Sequence, residues 1–205
     1  MELSRSHSEG ILATMRYGEQ MTESESMHEA LRSATRASHE ALDASFGSLD
    51  LRDEADFQRF LTAHFIGLAP LFPHYRTFVT EELGLAAPDF PGMLRADLAR
   101  LDRGSSTLPT IEAPSPTSAA GVTYVLAGSR LGLAMIRKRG YWGKDAGSTS
   151  AYMEDSDGIA VWRALTAWMG AQTPGPQALG EICISATLAF DVFRQAFALS
   201  EANAR

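Results

Sequence analysis

Apolar residues recur every three or four positions through most of the chain, which is the spacing of one face of an α-helix. The first such segment runs from Met27 to about Phe46. Its shared face consists of Leu31, Thr35, His39, Leu42 and Phe46. Alternating, β-branched runs of strand length are not found between turn signals. The pattern therefore predicts an all-α fold, with His39 on an apolar helix face.

The same periodicity places the remaining helices. A second helix is expected to start after Ser48 or Asp50, and Pro70 and Pro73 should leave it as a kinked or broken pair before the pattern resumes to Leu83. A short amphipathic helix is predicted over 92–102, and the proline-rich stretch 104–117 is predicted to be a loop. A helix from about 118 to 139 follows, then a loop over 140–150 and two last helices over 158–169 and 177–202.

The helix over 118–139 contains three glycines on one stripe, Gly121, Gly128 and Gly132. At 100° per residue they fall within about 40° of one another. Glycine inside a helix costs about 1 kcal/mol relative to alanine, so the stripe needs a reason. A backbone bared in this way can touch a planar ligand, or it can allow close packing against a neighbouring helix.

Length and composition fit one helical domain. The chain has 205 residues, is 45% hydrophobic and 21% charged, and offers room for a single buried core over 27–205. Residues 1–26 are polar with weak periodicity and are predicted to be a disordered N-terminal extension. The lone Cys183 gives no internal disulfide, which favours a cytoplasmic protein.

The net charge of −7 argues against nucleic-acid binding, which needs a clustered positive field. Positive residues do gather at Arg130, Arg137, Lys138, Arg139 and Lys144, with Asp145 as the only nearby acid, and such a patch suits an acidic protein partner. No uninterrupted apolar run reaches the roughly 18 residues of a membrane span, and the N-terminus lacks a secretory pattern. We therefore expect no membrane association.

Two segments resemble bacterial haem oxygenases. The segment LRSATRASHEALDASFG, over 31–47, is similar to their N-terminal pattern L-[RK]-x-A-T-x-x-x-H, in which the histidine is the proximal haem ligand, and His39 stands at that position. The segment YVLAGSRLG, over 124–132, resembles the distal motif Y-V-L-E-G-S-x-L-G-G of the biliverdin-producing enzymes found beside bacterial phytochromes. The resemblance extends over about residues 27–200 and places the two motifs in the expected order.

The resemblance implies a fold and a reaction. Haem would lie between the proximal helix and a kinked, glycine-rich distal helix, where Gly128 and Gly132 let the backbone come close to it and Ser129 could anchor water. Haem would be both cofactor and substrate, cleaved with dioxygen to biliverdin, carbon monoxide and ferrous iron. Electrons must come from outside, from a ferredoxin or another reductase, because no glycine-rich nucleotide-binding turn is present.

Further candidates surround the haem ligand. Asp43, one helical turn after His39, is placed to fix the imidazole tautomer directly or through water. The resemblance assigns Arg32 to a haem propionate, with Arg163 and Tyr124 as additional partners. For each arginine the competing interpretation is a solvated helix face.

Other interpretations stay open at this point. His39 could be a hydrogen-bonded core histidine. Two departures from the distal motif, Ala127 for its glutamate and Leu133 for its second glycine, with Leu133 expected to crowd the pocket, favour the alternative of a catalytically impaired haem-binding or sensor protein. A di-iron oxidase ranks last, because it needs several carboxylates and a Glu-x-x-His pair that face one core, and no such set is found. The resemblance implies two uses, chromophore supply to a bacterial phytochrome and release of iron from haem.

Overall fold

The computed structural model describes residues 26–101, 108–112 and 118–202. These residues form helices and irregular segments without a strand. The helices are α1 (Met27–Phe46), α2 (Glu54–Glu81), α3 (Phe90–Arg100), α4 (Ala119–Arg139), α5 (Ala151–Glu154), α6 (Asp157–Gly170) and α7 (Pro176–Ala202). The predicted all-α class is confirmed. The proposed N-terminal extension falls outside the described residues except for Ser26, and so do parts of the predicted 104–117 loop.

Helix α1 begins where its sequence provides a cap. The Ser26 side chain accepts a hydrogen bond from the Glu29 backbone N–H, and the Glu29 carboxylate accepts one from the Ser26 backbone in return. This capping box satisfies two N–H groups that the first turn leaves without partners. The Gly47 backbone N–H closes the other end on the Asp43 carbonyl. The predicted extent of this helix is therefore confirmed.

Helix α2 continues through both prolines. The sequence predicts a kinked or broken pair, but the structure has one helix of 28 residues with Pro70 and Pro73 inside it, so a break is wrong. Each internal proline costs about 3 kcal/mol. Leu71, Tyr75 and Phe78 are buried in the core just beyond them. Burying such side chains contributes about 1.5–3 kcal/mol each, which is enough to hold the helix together.

Helix α7 supports the rest of the bundle. It packs against α1, α2 and α4, and its buried face consists of Ala186, Ala189, Phe190, Val192, Phe193 and Ala196. Extensive packing between α1 and α4 does not occur within the described residues. These two helices are therefore held in place by a common neighbour, and we call the region between them, where they make little direct contact, the gap.

The short helix α5 was not predicted, because a partner distant in sequence fixes it. The buried Asp97 carboxylate of α3 accepts hydrogen bonds from the Ala151 and Tyr152 backbone N–H groups, both at 2.9 Å, and from the Ser150 hydroxyl at 2.5 Å. A carboxylate at the start of a helix satisfies its free N–H groups and complements its dipole. Asp97 thus nucleates a helical turn that four residues would not form alone.

By length and mean hydropathy, two helices could cross a membrane, Ala119–Arg139 and Pro176–Glu201. About half of the first window is buried inside the protein. Core helices of soluble proteins have the same length and composition, so this is weak evidence for a membrane span. The sequence-based expectation concerned uninterrupted apolar runs, and charged residues such as Arg130 interrupt the first of these helices.

Candidate functional site

His39 lies on the exposed surface of α1. Its side chain is 59% exposed, and its Nδ1 lies 3.1 Å from Asp43 Oδ2 one turn later. The ring meets Phe190 of α7 edge-on at 5.6 Å between centroids. A carboxylate beside Nδ1 favours the tautomer that carries its proton there and leaves the Nε2 lone pair free. His39 can therefore offer Nε2 as a ligand, and the interpretation as a core histidine does not fit its exposure.

The core histidine of this protein is His64, which the sequence analysis did not single out. It is buried on α2, and its Nδ1 lies 2.9 Å from the Phe60 carbonyl oxygen. Burial lowers the pKa of His64 to about 4, which the hydrogen bond to Phe60 only partly opposes. This imidazole is neutral at physiological pH and packs among aromatic rings, so it belongs to the core.

The three glycines of α4 meet three different surroundings. A Cβ at Gly121 would overlap the Ile182 carbonyl oxygen and lie 2.9 Å from the Ala186 nitrogen, so this glycine allows α4 to pack on the backbone of α7. A Cβ at Gly128 would lie 3.3 Å from Trp162 Cζ3. A Cβ at Gly132 would meet nothing within 4 Å. Close helix packing explains Gly121 alone, and only Gly132 borders open space.

An apolar strip follows the exposed face of α4 around Gly132. Leu131 is 43% exposed and Met135 is 58% exposed, and the exposed Gly132 lies beside them, about 60° from Met135 around the helix axis. Large hydrophobic side chains that are exposed next to one another are typical of a surface that binds a ligand or a partner protein. Ala127 and Leu133 are instead buried in the core. The expectation that Leu133 crowds the site is therefore wrong.

Tyr124, Trp162 and His28 form an aromatic cluster between α4, α6 and the start of α1. The Tyr124 ring lies 5.7 Å from Trp162 and 6.2 Å from His28, and His28 lies 6.1 Å from Trp162. Burial raises the pKa of Tyr124, while its hydrogen bond with Thr35 and the charge of Arg32 oppose that shift. The structure thus brings Tyr124 and Arg32, two of the predicted propionate partners, to the same end of the gap.

The other predicted site residues have simpler surroundings. Ser129 is half-buried, and its hydroxyl donates to the Leu126 carbonyl at 2.8 Å within its own helix. Arg163 is exposed on α6, and its guanidinium makes no hydrogen bond or ion pair with the described residues. It follows Trp162 directly, but points to a different face of α6 because successive helical residues are about 100° apart. No contact joins Arg163 to the cluster that contains Tyr124.

Arg130 is part of the core and not of a surface patch. It pairs with Asp155 at 3.2 Å, both side chains being 2% exposed, and its Nη2 donates to the Tyr152 carbonyl at 2.6 Å. Its guanidinium carbon lies 4.6 Å from the ring centroids of both Phe90 and Tyr152. A buried cation requires such partners, which come from residues distant in sequence. The assignment of Arg130 to a docking patch is therefore wrong.

The rest of the positive patch is partly neutralised. Glu154 lies 3.9 Å from the Arg137 guanidinium and 3.8 Å from the Lys144 ammonium, so Asp145 is not the only acid nearby. Lys138 and Arg139 remain exposed at the end of α4, where their charges complement the helix dipole. The patch available to a partner therefore centres on these two residues.

The residues around the gap suit haem as a ligand. They offer one exposed imidazole held by a carboxylate, an apolar surface at Gly132 and a cation beside a hydroxyl at one edge, which match the iron, the macrocycle and the propionates. Over 26–101, 108–112 and 118–202, no three His, Cys, Asp or Glu side chains gather around a common point. A di-iron carboxylate centre needs several such side chains on one core.

No protein-family model matches the chain, and no curated protein sequence matches it. Among solved structures, the chain is similar to a haem oxygenase from Neisseria meningitidis described in its NO- and CO-bound forms. The TM-score is 0.63 with 21% sequence identity, over 84% of this chain and 92% of that chain. The chain therefore has the haem oxygenase fold, as its two motifs predict, and this similarity does not distinguish a phytochrome-associated subgroup.

Proposed function

We propose that this chain, which has the haem oxygenase fold, binds haem through His39 and cleaves it to biliverdin, carbon monoxide and ferrous iron, using dioxygen and external electrons. One observation carries the proposal: in this fold, the exposed imidazole of His39 is held by Asp43 with its Nε2 free, at 3.1 Å between Nδ1 and Oδ2. A histidine kept in this state is ready to bind iron.

His39 and Asp43 form the proximal side of the proposed site. The Asp43 carboxylate, 3.1 Å from Nδ1, would accept a hydrogen bond from it and orient the ring, so that Nε2 would hold the iron. Phe190 supports the ring from α7. When bound, haem supplies both the redox-active iron and the carbon bridge that is cut.

Helix α4 forms the distal side. Gly132 leaves open space beside the exposed strip, so the backbone can come close to the macrocycle and exclude bulk water there. Gly128 and Ser129 lie one turn earlier on the same helix. The Ser129 oxygen keeps lone pairs that can accept from water, and it is the proposed anchor for proton supply.

Arg32 and Tyr124 are the proposed propionate partners, with Arg163 as a further candidate. Arg32 is exposed on α1, and its charge opposes the burial-induced rise in the pKa of Tyr124. The two groups are therefore close enough to border the same edge. A guanidinium binds a carboxylate through two parallel hydrogen bonds, and a phenol adds a single donor. Arg163 would have to reach the same edge from α6. Its guanidinium is available for this, because no hydrogen bond or ion pair with the described residues holds it elsewhere.

Electron supply is proposed to come from an acidic ferredoxin or another reductase. Lys138 and Arg139 give α4 an exposed positive end that would steer such a donor. The similarity of the distal motif to phytochrome-associated enzymes supports a role in chromophore supply to a bacterial phytochrome, with iron release as the other use. Either role would place the protein in the cytoplasm.

A second candidate is a haem-binding or sensor protein without turnover. Its support is that Ser129 donates its proton to Leu126 and that Ala127, at the motif's glutamate position, is buried. The distal helix thus shows no acidic side chain at either place. This candidate predicts a stable haem complex that is not consumed by reductant and oxygen.

The test is an absorption time course of the protein reconstituted with haem, in the presence of ascorbate and catalase. We expect the Soret band to disappear and a biliverdin spectrum to grow. His39→Ala should abolish this, imidazole in solution should partly restore haem ligation, and His74→Ala on α2 should behave as the parent. A haem spectrum that persists in the parent favours the sensor, and failure of the parent to bind haem contradicts both candidates.

A further inference from the structure

The surroundings of α4 differ along the gap between α1 and α4. The aromatic cluster of His28, Tyr124 and Trp162 joins the start of α1 to α4 and α6. One turn further along α4, Gly132 meets nothing within 4 Å. A flat ligand between the two helices would therefore meet the aromatic cluster beside Gly128 and free space beside Gly132.

Trp162 is the part of this cluster that lies against the backbone of α4. The position of a Cβ on Gly128 is 3.3 Å from its Cζ3 and 3.8 Å from both Cε3 and Cη2. These distances put the six-membered ring of the indole directly against the glycine. The absence of a side chain at Gly128 therefore accommodates the tryptophan, whereas the same absence at Gly132 leaves space for a ligand.

If His39 held the iron, that one bond would leave haem free to rotate about it. Contacts at the rim of the macrocycle must therefore choose its in-plane orientation, and that orientation decides which carbon bridge faces the reactive side. Arg32 and Tyr124 would hold propionates only at their own positions, Arg32 through a flexible side chain and Tyr124 through a single donor. Trp162 adds a rigid, half-buried ring next to them.

From these contacts we infer that Trp162 is a positioning residue that fixes the lateral position and in-plane orientation of haem, and so determines which bridge is cleaved. The inference rests on the proposed haem function. It also assigns the two distal glycines different roles: Gly128 seats the indole, and Gly132 borders the macrocycle.

The first test compares the parent with Trp162→Leu and Trp162→Phe, using proton NMR of the haem methyl groups in the ferric cyanide complex, which needs no turnover. The parent should show one dominant set of methyl signals, and Trp162→Leu should show at least a second set at about 20% or more. Trp162→Phe, which keeps a ring, should lie between them. The biliverdin isomers formed should shift in the same order.

The outcomes separate this inference from the proposed function. If the parent binds no haem, the proposed function fails. If it binds haem with one orientation and Trp162→Leu retains the same methyl pattern and the same biliverdin isomer, the inference about Trp162 is overturned while the proposed function stands. A haem affinity within about threefold of the parent in Trp162→Leu would show that His39 ligation persists, so that a changed methyl pattern reports orientation.

A second test uses the apoprotein and separates the two glycines. Alanine favours a helix over glycine, so Gly132→Ala should raise the melting temperature by about 2–4 °C. Gly128→Ala should raise it less or lower it, because its Cβ presses on the indole. In a Trp162→Leu background, Gly128→Ala should regain the full rise. An equal effect of Gly128→Ala in both backgrounds would show that Trp162 does not occupy this space.

Discussion

Loss of the Arg130 guanidinium should unfold this protein far more readily than loss of a neighbouring surface cation. Removing one partner of a buried ion pair costs about 3–5 kcal/mol, because the other charge stays buried. Asp155 also accepts hydrogen bonds from the Asp157 and Gly158 backbone at 3.3 and 3.1 Å, so it keeps two donors when Arg130 is gone. We therefore expect Arg130→Met to cost about 3 kcal/mol, at the lower end of that range.

The cost for Asp155→Ala should be larger, about 4–5 kcal/mol, because that change also removes the hydrogen bonds at the start of α6. Urea unfolding of the apoprotein, followed by far-ultraviolet circular dichroism, measures both. At about 2–4 °C per kcal/mol, Arg130→Met should lower the melting temperature by about 6–12 °C. Lys138→Met, on the same helix but exposed, is the control and should stay within about 0.5 kcal/mol.

A double-mutant cycle decides whether the ion pair is the cause. With Arg130 already replaced by methionine, Asp155→Asn should lower the free energy of unfolding by less than it does in the parent. The charge that it removes is then a buried charge without its partner, which is itself destabilising. The reasoning is refuted if Arg130→Met costs under 1 kcal/mol, or if the two changes add without coupling. Either result would mean that solvent reaches the guanidinium, contrary to its 2% exposure.

Three further predictions concern ligation, pH and electron supply. Asp43→Asn should lower haem affinity by about tenfold and reduce the iron–His39 stretching frequency in resonance Raman spectra, with little change in apoprotein stability because the pair is exposed. His64, with a folded-state pKa of about 4 against about 6.5 unfolded, takes up its proton first in the unfolded chain, so stability should fall by roughly 3 kcal/mol as pH drops from 6.5 to 4. His64→Gln should remove that part of the pH dependence in urea titrations. Charge reversal at Lys138 and Arg139 together should slow stopped-flow reduction by an acidic ferredoxin about tenfold at low salt, and an unchanged rate would contradict docking there.

The sequence predicts the helices better than their surroundings. Periodicity alone placed His39 and the glycines of α4, and the capping box of Ser26 and Glu29 could have fixed the first boundary. Periodicity does not distinguish Gly121 from Gly132, because both lie on the same stripe. In the structure, α7 packs against Gly121, whereas a Cβ at Gly132 would meet nothing within 4 Å. Neighbours distant in sequence decide such cases, and periodicity carries no information about them.

Charged residues show the same limit. Arg130 reads as part of a surface run because four other cations follow it, while its partner Asp155 lies 25 positions later in a segment predicted to lie outside any helix. Periodicity also does not predict whether His39 is buried or exposed, because an apolar helix face can pack in the core or form a ligand-binding surface. Only the arrangement of α1, α4 and α7 distinguishes the two.

The common support of α1 and α4 has a consequence for how the protein can change. Helix α7 packs against both α1 and α4, and at Gly121 its backbone almost touches that of α4. The contacts that hold these two helices in place are therefore made with α7 and not across the gap. Side chains that face the gap can therefore be replaced without disturbing the packing of α1 and α4 against α7. Libraries restricted to Leu131, Gly132 and Met135 should therefore yield folded proteins at high frequency, and they offer a route to pockets for other planar pigments.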